Sequence, residues 1–591
     1  MQYVLLLFLF FTTSLYSQNA NLAKDYFQKG EFEKALIEYK KLYAKQSSNI
    51  SLIYQIINTH QQLEQYDEAE IFLLDLINRI NYPVFIVEIG YNYQLKNDLK
   101  KANENYLKAI ALIDEKTSHV YGIARSFENH SLLNEAVIAY EKATAIKADY
   151  NFDIQLAKIY GEQGKIEKMF NSYINFAKYN PDAVREIKKA INEFISEDKA
   201  NENNVLFRKL LLTKMQQEPN IFWNELLSWL FLQEKDLKKA FTQEKAIYKR
   251  AHKNLNRVEE IALIALNENK NEIAKTIFNY IIETAQDDET KVKAHQNLIQ
   301  IELKKTTKSS YSNIKNKYLE LIETYGEKPE TLKLQIDYAH FLAFYLNETK
   351  EATIFLEKSL KLPLAKAEKA KVKLELGDIL ILQEKFNKAL IYYTQIQRNH
   401  KNSTISQEAR FKVAKASYYK GDFKWAESQL KILKASTSQL IANDALYLKL
   451  LISDNKYEDS LQTALKHYAK ADLLAFQNKN DDAINLLNKI LKEHKTEPII
   501  AQALYKQAKL FELKNDLEKA KVNYERIIKN YSDGILIDDS LFYLAKIYEK
   551  ALNIPEKAKV FYEQIIFNHA DSIYFVDAKK RYRTLRGDAI N

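Results

Sequence analysis

A small side chain returns about every 34 residues along this 591-residue chain, and that rhythm limits what the chain can fold into. Five segments carry it near the N-terminus: GEFEKALIEYKKL from Gly30, EQYDEAEIFLLDL from Glu64, NDLKKANENYLKA from Asn97, SLLNEAVIAYEKA from Ser131 and GKIEKMFNSYINF from Gly164. The small positions are Ala35, Ala69, Ala102, Ala136 and, as a variant, Met169, at spacings of 34, 33, 34 and 33. Tyr39, Tyr106, Tyr140 and Tyr173 stand one helical turn after four of them. Alanine lets two helices of a hairpin approach closely, and an aromatic one turn on fills the gap to the next hairpin. The preceding segments carry their own stripe, with paired positions three apart: Ala23 and Tyr26, Ile57 and His60, Gly90 and Tyr93, Ala124 and Phe127, Ala157 and Tyr160. Pro181 falls where the fifth unit ends, and proline cannot continue a helix.

The pattern returns with a longer period near the C-terminus. Ala389, Ala426, Ala483, Ala520 and Ala558 mark five units there, with spacings of 37 and 38 between linked pairs. The extra residues fall between units, as in NYSDGILIDDS from Asn530. The centre is degenerate: Val184–Ser196 with Val205–Met215, units around Ala240 and Ala274, and two more pairs over residues 291–361. Tyr457–Asn478 reads as one long helix shared by adjacent units.

Several residue types recurring in phase resemble the tetratricopeptide repeat (TPR) family. The longer-period part, residues 366–586, is similar to periplasmic TPR proteins of outer-membrane assembly and the Tol-Pal system. The resemblance implies an all-α, right-handed superhelical solenoid of about twelve to thirteen antiparallel helix pairs. Its organisation would be residues 1–17 as a leader, 18–182 as a five-unit array, 183–292 and 293–365 as divergent pairs with a hinge near 306–313, 366–573 as the longer-period array, and 574–591 as a capping helix and tail. It also implies an inner groove lined by the first helix of each pair.

Composition narrows the alternatives. Ten glycines and seven prolines are about 3 % of the chain, against roughly 12 % in an average domain. Hairpin-rich β folds and glycine-lined phosphate loops are therefore unexpected. The net charge of +9 is modest for this length, and both signs are interleaved. There is no cysteine, which removes disulfides, thiolate metal sites, cysteine nucleophiles and lipidation at a cysteine. Residues 1–17, MQYVLLLFLFFTTSLYS, resemble a secretory signal peptide: an apolar run, then small polar residues, with the first charge at Lys24. Export to the periplasm or the periphery of the outer membrane is the expectation, with no membrane-spanning segment in the mature chain.

No template for catalysis is met. HExxH, GxGxxG, GxSxG and a P-loop are absent, and the ten histidines are scattered. Asp538–Asp539 and Asp287–Asp288 are neighbours in sequence, which on a helix point apart, so cap and loop roles are expected. No enzyme activity, cofactor, metal or nucleic acid is expected. The groove remains. By resemblance, positions fifteen and eleven residues before each key small residue face inward. In the N-terminal array these include Tyr54, Asn58, Tyr91, Tyr121, Arg125 and Lys158. In the C-terminal array they include Phe411, Lys415, Tyr468, Tyr505 and Lys509, then Phe542 and Lys546 with one inserted residue allowed. Aromatic rows beside cationic rows suit a peptide bearing apolar anchors and carboxylates. The expected function is a scaffold for other cell-envelope proteins, with peripheral membrane association compatible. Two alternatives are a peptidoglycan- or polysaccharide-associated factor and a helical-repeat RNA binder.

Overall fold

The structure is a computed structural model that describes residues 21–80, 82–251, 254–433, 438–456 and 462–588. The leader expected at 1–17 lies outside them. Every regular element among the described residues is helical, and successive helices pair into hairpins that stack on their neighbours. The chain is an all-α helical-repeat solenoid. The key small residues explain the pairing: Ala35, Ala69, Ala102, Ala136, Met169, Ala389, Ala426, Ala483, Ala520 and Ala558 are all buried at helix crossings.

By compactness the chain divides into two units, Met1–Ile261 and Ala262–Asn591. The first contains hairpins such as Ile50–Gln62 with Tyr66–Arg79, Val84–Leu95 with Leu99–Glu115, and Val120–Asn129 with Leu133–Ile146. After Ile166–Tyr179, Pro181 opens a short 3-10 turn, as its missing N–H favours. The degenerate stretch forms helices Val184–Asn192 and Glu202–Gln217, then the hairpin Ile221–Gln233 with Leu237–Ala251. Trp223 sits in the core there and donates its indole N–H to the Glu218 carbonyl at 3.0 Å.

Tight turns inside the hairpins need a left-handed residue, yet glycine is scarce. Asparagine fills much of the gap. Asn97, Asn347, Asn478, Asn515 and Asn553 have φ between 52° and 64°, a region its short polar side chain tolerates. The next N–H then reaches back five residues, as from Asp98 to the Tyr93 carbonyl and from Asp516 to the Phe511 carbonyl, both at 2.9 Å. This bond satisfies a helix-end carbonyl that would otherwise be orphaned.

The tyrosine one turn after several of the key alanines does more than fill space. The hydroxyl of Tyr106 donates to Gln94 (2.9 Å), Tyr140 to Glu128 (2.5 Å), Tyr524 to Glu512 (2.6 Å) and Tyr562 to Glu549 (2.6 Å). Each tyrosine thus ties the second helix of a hairpin to the end of the first.

The second unit holds the hairpins Leu332–Phe344 with Thr349–Ser359, Lys366–Leu382 with Phe386–Asn399, and Thr404–Lys420 with Phe423–Leu433. A further helix, Gln439–Asp454, then precedes the hairpin Thr463–Phe476 with Asn480–Glu493. The expected long helix over 457–478 is therefore corrected. Its described part begins at Thr463, because Gln462 at φ 50° breaks the helical path; residues 457–461 lie outside the described set. Two more hairpins follow, Ile500–Leu513 with Leu517–Asn530 and Ile537–Lys546 with Pro555–Asn568, then the last helix Phe575–Arg586. A π-helical turn at Ile547–Ala551 absorbs the extra residue of the last hairpin. The loop from Thr306 holds a 3-10 turn, Lys308–Ser310, between helices Asp288–Leu303 and Tyr311–Tyr325.

Candidate partner-binding faces

Successive first helices lie against one another through their side chains, and the rows named from the sequence can be placed on this face. In the first unit, Tyr54, Asn58 and Tyr91 are half-buried, whereas Tyr121, Arg125 and Lys158 are exposed. Burial, the nearby Glu88 charge and Tyr82 raise the Tyr54 hydroxyl well above its ordinary pKa, so it stays a neutral donor. Tyr91 stacks on His130 with ring centroids 3.8 Å apart. His130 Nε2 in turn meets Glu88 at 2.9 Å, and Ser126 donates to the other oxygen of the same carboxylate at 2.6 Å. Glu88 is 2 % exposed, so this Ser–Glu–His chain is a buried link between helices Val84–Leu95 and Val120–Asn129. Tyr121 leans on Tyr150 and Phe152, with centroids 5.7 and 5.5 Å away.

In the second unit the expected row breaks into two parts. Tyr468 is 3 % exposed and belongs to the core, crowded by Tyr447 and Tyr505. Phe542 is 5 % exposed and stacks on Tyr574 at 4.3 Å. Neither is a groove contact. Phe411 is half-buried and packs against the core. Lys415 lies between the rings of Tyr419 and Phe476, 5.7 and 5.8 Å from their centroids. Burial lowers its pKa, and the neighbouring Lys506 and Lys412 add to that effect. Lys412 differs because Asp378 accepts from it at 2.6 Å. Burial opposes its charge, yet the carboxylate outweighs burial and raises its pKa.

Phe476 reaches this position because the chain folds back. Lys470 Nζ binds both oxygens of Glu384 at 2.8 Å. Gln477 donates to the Leu382 carbonyl and Asn478 to the Phe344 carbonyl, each at 3.0 Å. Phe476 and Phe344 meet edge to face at 5.6 Å. The end of helix Thr463–Phe476 thus occupies first-helix surface beside two earlier hairpins, and Lys415 is covered by the chain itself. Repeat spacing alone could not reveal this contact, because its residues are up to 134 positions apart.

The open part of the row lies further on. Tyr505 and Lys509 on helix Ile500–Leu513, and Tyr543 and Lys546 on helix Ile537–Lys546, are all half-buried. Lys509 Nζ stands 3.5 Å from the Tyr543 ring centroid and Lys546 Nζ 5.4 Å from it. Lys509 also bonds Glu512 at 2.7 Å. Burial lowers the pKa of Lys546, and the Arg581, Lys550 and Lys509 charges reinforce the shift. Asp539 accepts from Tyr505 (3.1 Å) and Tyr574 (2.8 Å), so it is a tyrosine anchor, not the cap or loop residue expected. Asp287 does cap its helix, accepting from the Thr290 N–H at 2.7 Å. Tyr543, Asp539 and Tyr574 were missed as members of this site. The signal lay in the longer period: Tyr543 stands fifteen residues before Ala558, as Tyr505 does before Ala520.

Among the described residues no cluster of three or more His, Asp or Glu side chains could hold a metal ion. No described helix is long and apolar enough to cross a membrane. The face offers rings, cations and hydroxyl donors, which is chemistry for holding another chain.

The class defined by this geometry is a helical-repeat array. Comparison with known families adds that tetratricopeptide repeat models match residues 468–534 and 539–572, so the open part of the face lies on tetratricopeptide repeats. Such repeats serve as protein–protein interaction scaffolds and are generally non-catalytic. No curated protein matches the chain. Among solved structures, a chain of "Structure of Naa15/Naa10 bound to HypK-THB" is similar at 13% identity and a TM-score of 0.29, with 97% of this chain and 100% of that chain covered.

Proposed function

We propose that this chain is an exported, non-enzymatic scaffold that binds other cell-envelope proteins along its first-helix faces. The observation that carries the reading is the stack of Lys509 and Lys546 about the Tyr543 ring, with Lys550 adding positive charge nearby. A half-buried ring between cations suits a partner segment with an apolar anchor and carboxylates. The apolar leader-like residues 1–17 support export, and with it a cell-envelope location.

The test has two arms. Fractionation with N-terminal sequencing should find a mature chain starting near Gln18 in the envelope; an uncleaved chain confined to the cytosol refutes export. Pull-down from intact envelope should lose its partners with Tyr505→Ala plus Lys509→Glu while circular dichroism stays unchanged. Undiminished capture rejects this face.

A further inference from the structure

A notch of about 510 Å³ lies between the second helices Asn480–Glu493 and Leu517–Asn530, floored by the first helix Ile500–Leu513. It belongs to a different side of the array from the lysine–tyrosine stack. Gln507 lines it, and two residues along a helix turn the side chain by about 200°, away from Tyr505 and Lys509.

The floor is a directed chain of amides. Asn523 Nδ2 donates to Gln507 Oε1 at 2.8 Å, and Gln507 Nε2 donates to Asn488 Oδ1 at 2.8 Å. Gln507 and Asn523 are 3 % and 4 % exposed. Burying two amides costs free energy unless they are paired, and here they pair with each other. The pairing leaves Asn488 Nδ2 as an open donor at one end and Asn523 Oδ1 as an open acceptor at the other. A peptide group carries the complementary carbonyl and N–H. Around this floor, Phe511 and the half-exposed Val522 offer apolar contact. Lys492 and Arg526 are exposed on the rim with no carboxylate partner among the described residues, whereas the one acid there, Glu518, is held by Lys521. The rim is therefore left with uncompensated positive charge.

We propose that this notch is a second docking site, taking an extended peptide segment that carries an acidic side chain beside an aliphatic one. The backbone would bridge Asn488 and Asn523, the carboxylate would meet Lys492 and Arg526, and the aliphatic group would rest on Phe511 and Val522. The proposal is independent of the first-helix face.

The experiment uses the full chain carrying Lys509→Glu and Lys546→Glu, which removes the other face. The probe is a fluorescein-labelled octapeptide of alternating glutamate and leucine, read by fluorescence anisotropy. It should bind, and a lysine–leucine octapeptide should not. Adding Lys492→Glu and Arg526→Glu should weaken binding about tenfold or more, and Asn488→Ala, at an exposed position, should weaken it about threefold or more. Absence of binding in the starting background, an affinity unchanged by these substitutions, or preferential capture of a single-stranded oligonucleotide overturns the proposal.

Discussion

Gly377 offers a direct test of how the hairpins pack, because two effects of opposite sign meet there. It lies in the middle of helix Lys366–Leu382, where alanine is intrinsically better than glycine by about 1 kcal/mol. An added Cβ, however, would overlap Tyr393 Cε1 and stand 2.5 Å from Cζ and 2.9 Å from Cδ1. The ring has nowhere to go. Tyr393 is 1 % exposed, and its hydroxyl donates to Asp378 at 2.7 Å. Overpacking costs about 1–3 kcal/mol, and losing a hydrogen bond to a charged acceptor costs about 1.5–3 kcal/mol. Set against the helix gain, Gly377→Ala should destabilise the second unit by about 1.5–5 kcal/mol. Urea unfolding followed by circular dichroism measures the total, and hydrogen exchange over residues 366–399 locates it. The double variant Gly377→Ala, Tyr393→Leu should be less damaging than the sum of its parts, since one steric conflict underlies both. A variant stabilised by about 1 kcal/mol would show that helix propensity governs the site and that the tyrosine contact is not formed.

Two further outcomes follow from the ion pairs. Lys470→Glu should raise hydrogen exchange at 344–346 and 382–385, and the charge swap with Glu384→Lys should restore protection; identical exchange in all three forms sinks the fold-back contact. The Lys470 hydrogen bond holds the Glu384 carboxyl below its ordinary pKa, so this pair stabilises above the usual carboxylate range and fades as pH falls through the lowered value. With both side chains over two-fifths exposed, its worth is about 0.2–1 kcal/mol. His340 behaves oppositely: burial disfavours its charge, but Glu375 at 2.9 Å outweighs burial and raises the pKa above 6.5. Its contribution is present below the unfolded value and lost as pH rises through the folded one. An NMR titration should show the raised value fall in Glu375→Gln; no change there rejects the assignment.

Much of the architecture was legible because close helix packing demands small residues at a fixed period. Ala35 through Ala136 and Ala389 through Ala558 announced their hairpins, and each is buried. The site was less legible. The same periodicity placed Tyr468 and Phe542 on a binding row, yet both are core, since a ring near a helix crossing can turn either way. The Asn488–Gln507–Asn523 chain gave no warning, as amides scattered over 36 residues look like ordinary surface until three helices bring them together. Glu384 and Lys470 were equally silent, being 86 positions apart.

The Phe344–Asn478 fold-back has a consequence for how this half of the chain unfolds. A plain repeat array melts from its ends, each module answering only to its immediate neighbours. A clasp joining modules well separated in sequence couples their fates and lengthens the loop that must close before its contacts form. The second unit should therefore assemble slowly and come apart in one step over residues 332–493, a behaviour closer to a globular domain than to a string of beads.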